Sequence, residues 1–213
     1  MTTDRLSIYN GALLMLGSRR LASLSDDVES RYVLDQIWEN NFLQRVLQHG
    51  FWKHAMRTVK ISYDPDFTAS FGYHYSFDIP DDLVRLYSLC TDEYFYCPVD
   101  QYQDDGSRWY SDYTDLYVRY VSNGDDYGLD FSKWPESFTE YVEGYLALKS
   151  VKRITDSQTD QEQLVKDVRD LKVKAKSEDA LREPVGLTVP SGWAVARGGY
   201  ESGRRRNIHT VKE

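Results

Sequence analysis

Thr58-Val59-Lys60-Ile61-Ser62-Tyr63 is where the chain changes its rhythm. Upstream, apolar residues return every three or four positions. Here Val59, Ile61 and Tyr63 alternate with Thr58, Lys60 and Ser62, the period of a strand covered on one face. Asp64-Pro65-Asp66 turns the chain, and alternation resumes with Tyr73, Tyr75 and Phe77 against His74, Ser76 and Asp78 until Pro80-Asp81-Asp82. Val84–Cys90, Tyr94–Cys97, Trp109-Tyr110 and Leu116–Val121 are further short strand candidates, with 64–72 and 100–113 as loops. Twelve of the 17 tyrosines fall in 63–127, and aromatic residues favour half-buried strands.

On the N-terminal side the period is helical. Leu6, Tyr9, Leu13 and Leu16 form a stripe, Thr2 or Thr3 can cap its start, and Gly17 sits where a left-handed residue ends a helix. Ser25 is the expected cap of a second helix, with Asp26, Asp27 and Glu29 on its first turn. Its stripe runs Leu34, Ile37, Trp38, Phe42 and Val46, and Gly50 is the expected stop. Two helices on a short link fold back as a hairpin.

Helix period returns after Pro135, with Phe138, Tyr141, Tyr145 and Leu148, then Leu164, Val168, Leu171 and Ala175. Beyond Pro184 no period survives. That stretch holds five of the 13 glycines and two of the six prolines, and reads as an extended arm. The expected fold is therefore α+β: a four-helix bundle from N- and C-terminal helical hairpins (1–55 and 131–183), an inserted small antiparallel β domain (56–130), and a C-terminal arm (184–213).

The 213 residues carry 26 Lys and Arg against 34 Asp and Glu, a net charge of −8. Residues 81–130 alone hold 12 acidic side chains and three Arg, whereas 184–213 has five basic residues against two Glu. Global acidity argues against a general nucleic-acid binder. Mean hydropathy of −0.61 and the lack of a long apolar run argue against a membrane span. The first residues lack a secretory pattern, so a cytosolic site of synthesis is expected.

Reactive constellations are sparse. There is no phosphate-binding lysine loop, dinucleotide glycine motif or nucleophile elbow. Cys90 and Cys97 read as buried free thiols, His49 as a helix-terminal histidine and His54 as a surface one. Asp81-Asp82, Asp104-Asp105-Gly106 and Asp125-Asp126 could hold a divalent cation or serve as acid and base, but turn chemistry places Asp there without either role. No catalytic residue, metal or cofactor is expected.

Several segments occur in a telling order: Ile8-Tyr9-Asn10-Gly11-Ala12-Leu13-Leu14-Met15-Leu16-Gly17, Leu21-Ala22-Ser23-Leu24, Gly50-Phe51-Trp52-Lys53-His54-Ala55, Phe77-Asp78-Ile79-Pro80-Asp81-Asp82-Leu83-Val84-Arg85-Leu86, Leu116-Tyr117-Val118-Arg119-Tyr120 and Leu146-Ala147-Leu148. Over residues 5–180 this resembles the tail tubular protein A family, the head-to-tail adaptor or gatekeeper of short-tailed bacteriophages. The resemblance implies a non-enzymatic virion protein of the tail or neck, assembled in the host bacterial cytoplasm. It implies a dodecameric ring between portal protein and tail nozzle protein, with genome DNA passing through unbound. An acidic conduit repels phosphates, which suits transport.

Two contact sets follow as expectations. In the arm, Trp193, Arg197, Tyr200, Arg204, Arg205 and Arg206 are candidates for binding the portal or a neighbouring subunit, since Arg and aromatic side chains anchor interfaces. In the β region, Phe67, Phe71, Tyr102, Trp109, Tyr110 and Tyr113 are candidates for tail-nozzle or lateral contacts, as rings stranded on loops. The alternative is a nucleic-acid-interacting assembly factor working through its basic tail.

Overall fold

Asp4 starts the first helix, α1 (Arg5–Met15), in a reciprocal capping box. Its carboxylate accepts from the Ser7 N–H at 2.7 Å, and the Ser7 hydroxyl accepts from the Asp4 N–H at 3.0 Å. The cap is therefore Asp4, not Thr2 or Thr3. Gly17, at φ +63°, ends the helix as expected: its N–H reaches the Leu14 carbonyl and the Ser18 N–H the Leu13 carbonyl.

The computed structural model describes residues 3–67, 72–155 and 158–182. Contacts divide the chain into Met1–Arg182 and Glu183–Glu213. The second unit lies outside the described residues, and with it Trp193, Arg197, Tyr200 and Arg204–Arg206; so does Phe71.

The second helical stretch departs from expectation twice. It begins at Glu29, behind Val28, because Ser25 and Asp26 serve a turn instead. The Asp26 carboxylate accepts from the Ala22 N–H at 2.7 Å and from Ser23. It also breaks in the middle, into α2 (Glu29–Glu39) and α3 (Phe42–Leu47). Asn41 between them is left-handed at φ +53°, a conformation Asn tolerates better than most residues. Two adjacent asparagines are also weak helix formers. The apolar stripe survives the break, because Phe42 and Val46 remain buried.

Six strands follow: β1 (Met56–Ser62), β2 (Tyr75–Asp78), β3 (Leu83–Cys90), β4 (Gln103–Asp104), β5 (Arg108–Ser111) and β6 (Asp115–Ser122). They make two antiparallel three-stranded sheets, ordered β1-β6-β3 and β2-β5-β4. One expectation fails here: Tyr94–Cys97 is a loop rather than a strand. Trp109-Tyr110 falls in β5 as expected, and 100–113, otherwise read as a loop, also contains β4. Then come α4 (Glu136–Ile154), led by Pro135, and α5 (Gln158–Leu181). The fold is mixed α+β, with five α-helices and two small antiparallel sheets among the described residues.

Two cores form. The helical core includes Ile8, Leu13, Leu34, Val46, Phe138, Tyr141 and Val168. Trp52 anchors its border, 1% exposed, with Phe138 edge-on at 4.7 Å. The sheet core holds Phe77, Leu89, Val99, Trp109, Leu116, Val118 and Tyr120. Strand β6 links them: Val118 and Tyr120 face the sheet core while Val121 enters the helical one. At the same join the Asp82 carboxylate accepts from Arg57 (2.8 Å), Tyr120 (2.8 Å) and Ser122. Burial pushes its pKa up, but these three donors outweigh that and hold it below the usual carboxylate range. The Asp81-Asp82 pair thus builds structure through its second member.

The histidines and cysteines are also corrected in part. Both His54 ring nitrogens are buried without a hydrogen-bond partner, the ring lying 4.5 Å from that of Phe138, so His54 is not a surface residue. Burial, and then Arg182, lower its pKa to about 4. Cys90 is buried as expected, whereas Cys97 is exposed.

Candidate interaction surface

Arg108 on β5 organises the outer end of the second sheet. Its guanidinium donates to Asp64 (2.8 Å) and Ser76 (3.2 Å) and pairs with Asp78 (2.8 Å). It also lies 4.2 Å from the centroid of the Phe67 ring. One side chain therefore ties the 64–67 turn to β2 and β5, and holds Phe67 in place. Phe67 is 38% exposed, with Tyr110 6.4 Å away.

Tyr110 is fixed from the other side, its hydroxyl donating to Asp105 at 2.9 Å. Asp105 shapes the β4–β5 turn, where Gly106 takes φ +85°. The backbone N–H groups of Arg108 and Ser107, then the Tyr110 hydroxyl, lower the Asp105 pKa to about 2. Nearby on β2, Tyr75 packs against Tyr63 at 4.7 Å. His74 and Asp112 pair at 2.6 Å, which lowers the Asp112 pKa.

The six β-region candidates thus separate. Phe67 and Tyr113 are exposed rings, and Tyr102 and Tyr110 are partly exposed. Trp109 is a correction: it is 1% exposed, opposite Phe77 in the sheet core, its indole N–H donating to Asp104 at 3.1 Å. In Arg108-Trp109-Tyr110-Ser111 burial alternates, so the tryptophan points inward where its neighbours do not.

Sequence reasoning missed the most exposed rings. Tyr94 and Tyr96 are 68% and 82% exposed and stack at 6.2 Å with 21° between their planes. The loop that carries them is preformed. Asp92 accepts from the N–H groups of Tyr96 (3.0 Å) and Cys97 (2.7 Å), and the Thr91 N–H donates to the Cys97 carbonyl at 3.0 Å. Phe95 sits between the tyrosines at φ +61°, a strained value for a bulky residue. The available signal was Thr91-Asp92-Glu93, a turn opener directly before the rings.

Chemically, the sheet region offers aromatic rings and carboxylates already committed to hydrogen bonds. Asp92, Asp104, Asp105, Asp112, Asp115 and Asp130 all accept hydrogen bonds. Among the described residues no cluster of three His, Cys, Asp or Glu could hold a metal ion. No helix among them is long and apolar enough to cross a membrane. No family model matches the sequence, and no characterised protein matches it.

Proposed function

We propose that this chain is a structural, non-enzymatic subunit of a bacteriophage virion: the head-to-tail adaptor, in a dodecameric ring between portal and tail nozzle, through which genome DNA passes. The observation that carries the reading is the set of preformed rings on the sheet region. Tyr63, Phe67, Tyr87, Tyr94, Tyr96 and Tyr113 all expose a ring face or edge, five of them above the 38% exposure of Phe67. Rigid rings lose little entropy on contact, and repeated contacts suit assembly. The motif order from Ile8 to Leu148 supports the family.

In this reading α1, the broken α2–α3 arm, α4 and α5 form the four-helix bundle, and α4 packs against α1, α2 and α5. The bundle faces the portal and the sheets face the nozzle. The arm from 184 onward docks on the portal or on a neighbouring subunit through Trp193, Arg197, Tyr200 and Arg204–Arg206. Deleting 184–213 then leaves the melting transition nearly unchanged and abolishes portal attachment. If the truncated chain instead attaches normally, and full-length protein loses salt-sensitive DNA binding when 197–206 is removed, the tail serves nucleic acid and the alternative reading holds.

A further inference from the structure

The helical side of the first sheet carries a group of cations unusual for so acidic a chain. Arg85 lies 4.1 Å from the Phe51 ring centroid, Phe51 packs edge-on against Tyr87 at 5.1 Å, and Arg119 lies 5.3 Å from Tyr87. Tyr87 is 44% exposed. Next to this, burial and then Lys172, Lys176 and Lys149 lower the pKa of His49, just beyond α3. Burial and then Lys172 and Arg85 lower that of Lys176. Among the described residues, Arg85, Arg119, Lys149, Lys172 and Lys176 have no carboxylate partner. Like charges gathered without counter-ions repel, and an incoming anionic surface relieves that repulsion.

The Thr91–Cys97 loop has the complementary character. It presents the stacked rings of Tyr94 and Tyr96, with Glu93 exposed beside them and Asp100 exposed just beyond. The Asp92 bonds to Tyr96 and Cys97, and that of Thr91 to Cys97, preform the loop that carries both exposed tyrosines, so docking loses little entropy. Tyrosine faces attract Arg and Lys, and Glu93 and Asp100 match the unpaired cations. The loop leaves the far end of β3, while Arg85 and Tyr87 lie in its first five residues. The extended strand between them keeps the loop from folding onto its own face.

We propose that the Thr91–Cys97 loop of one copy docks on the Phe51–Tyr87 cationic face of a second copy. The two surfaces differ, so the contact is heterologous, the kind that closes into a ring when the rotation per copy allows it. The inference rests on the adaptor reading for its ring, but it is tested without the portal. One loop buries far less area than a stable complex needs, so the free chain is monomeric at low concentration and associates only when concentrated.

The test is sedimentation of the full chain, alone and as two charge-reversed variants, E93K/D100K and K172E/K176E. The wild type gains weight-average mass with concentration at low salt and loses that gain at high salt. Each variant associates at least about tenfold more weakly. Their equimolar mixture regains association, because each supplies the surface that the other lacks. Wild-type association in either variant, no recovery in the mixture, or no association of the wild type overturns the contact. Binding of a short DNA duplex that K172E/K176E abolishes would overturn it too, assigning the face to phosphates. A normal ring on the portal built from either variant alone would sink this contact while leaving the adaptor reading intact; charge-swap recovery without portal binding would do the reverse.

Discussion

Glu143 shows how one side chain can set a pH dependence. It sits on α4 with its carboxyl group against α1, where a Cβ on Gly11 would lie 2.1 Å from the Glu143 Cδ. Burial, and then Glu140, raise its pKa to about 7 from 4.5. A raised folded-state pKa means stability that is complete below the unfolded value and is lost as pH rises through about 7. Because the group is partly exposed, the effect is discounted to about 1 kcal/mol. Glu143→Gln should therefore raise the melting temperature at pH 8 and change it little at pH 5. His54 acts in the opposite direction: its depressed pKa costs stability as pH falls from 6.5 towards 4. The Gln variant should accordingly expose a plain decline in stability on acidification. A variant that melts like wild type at pH 8 would remove Glu143 from the account.

The corrected tryptophan gives a second prediction at the same scale. Trp109→Ser should destabilise by about 3–5 kcal/mol, as expected for truncating a buried aromatic ring. Tyr113→Ser, at a 48% exposed ring, should change stability by less than about 0.5 kcal/mol. Chemical denaturation of both variants checks this. Equal losses would mean that the two rings share one environment. A test of tail contacts by substitution therefore belongs at Phe67 and Tyr113, where the fold survives the change. That pair should bind portal normally and fail to recruit the nozzle.

Among the elements, the legible ones were those with long periodic runs. The change of rhythm after Met56, the stop at Gly17, the Pro135 lead into α4 and the presence of two helices after it all stand as read. The break at Asn40-Asn41 was illegible, because Phe42 and Val46 continue the stripe across it. In the second sheet β2 and the Trp109-Tyr110 part of β5 stand as read, whereas β4 has two residues, too few to display alternation. Tyr94-Phe95-Tyr96 gave the opposite error, since three aromatics read as a strand whereas Asp92 caps a loop there. The join after β6 offers a direct check. Gly128 is buried, and a Cβ there would lie 2.3 Å from the Ser122 carbonyl oxygen and 2.7 Å from Leu47. Backbone cannot step aside as a side chain can. Gly128→Ala should cost about 1–3 kcal/mol, read from the denaturation midpoint. A neutral result would mean that this join is looser than described.

At the scale of the whole molecule, the exposed rings were legible as a region and only in part as residues: Phe67 and Tyr113 are exposed as expected, Trp109 is not. Tyrosine enrichment over 63–127 pointed to the sheets, but composition cannot tell an inward ring from an outward one. Trp109, offered as a contact ring, is buried, and Tyr94, read into a strand, stands exposed on a loop. Acidity was legible as a total, while its use was not: much of 81–130 is spent on turns, and the unpaired cations of the Phe51–Tyr87 face come from four separate elements. The central claim is that this chain forms a ring on a portal. Imaging portal rings mixed with the full chain tests it most directly. The account predicts a second ring stacked coaxially on the portal, with the sheet regions pointing away from it. Bare portal rings beside free monomers would contradict it.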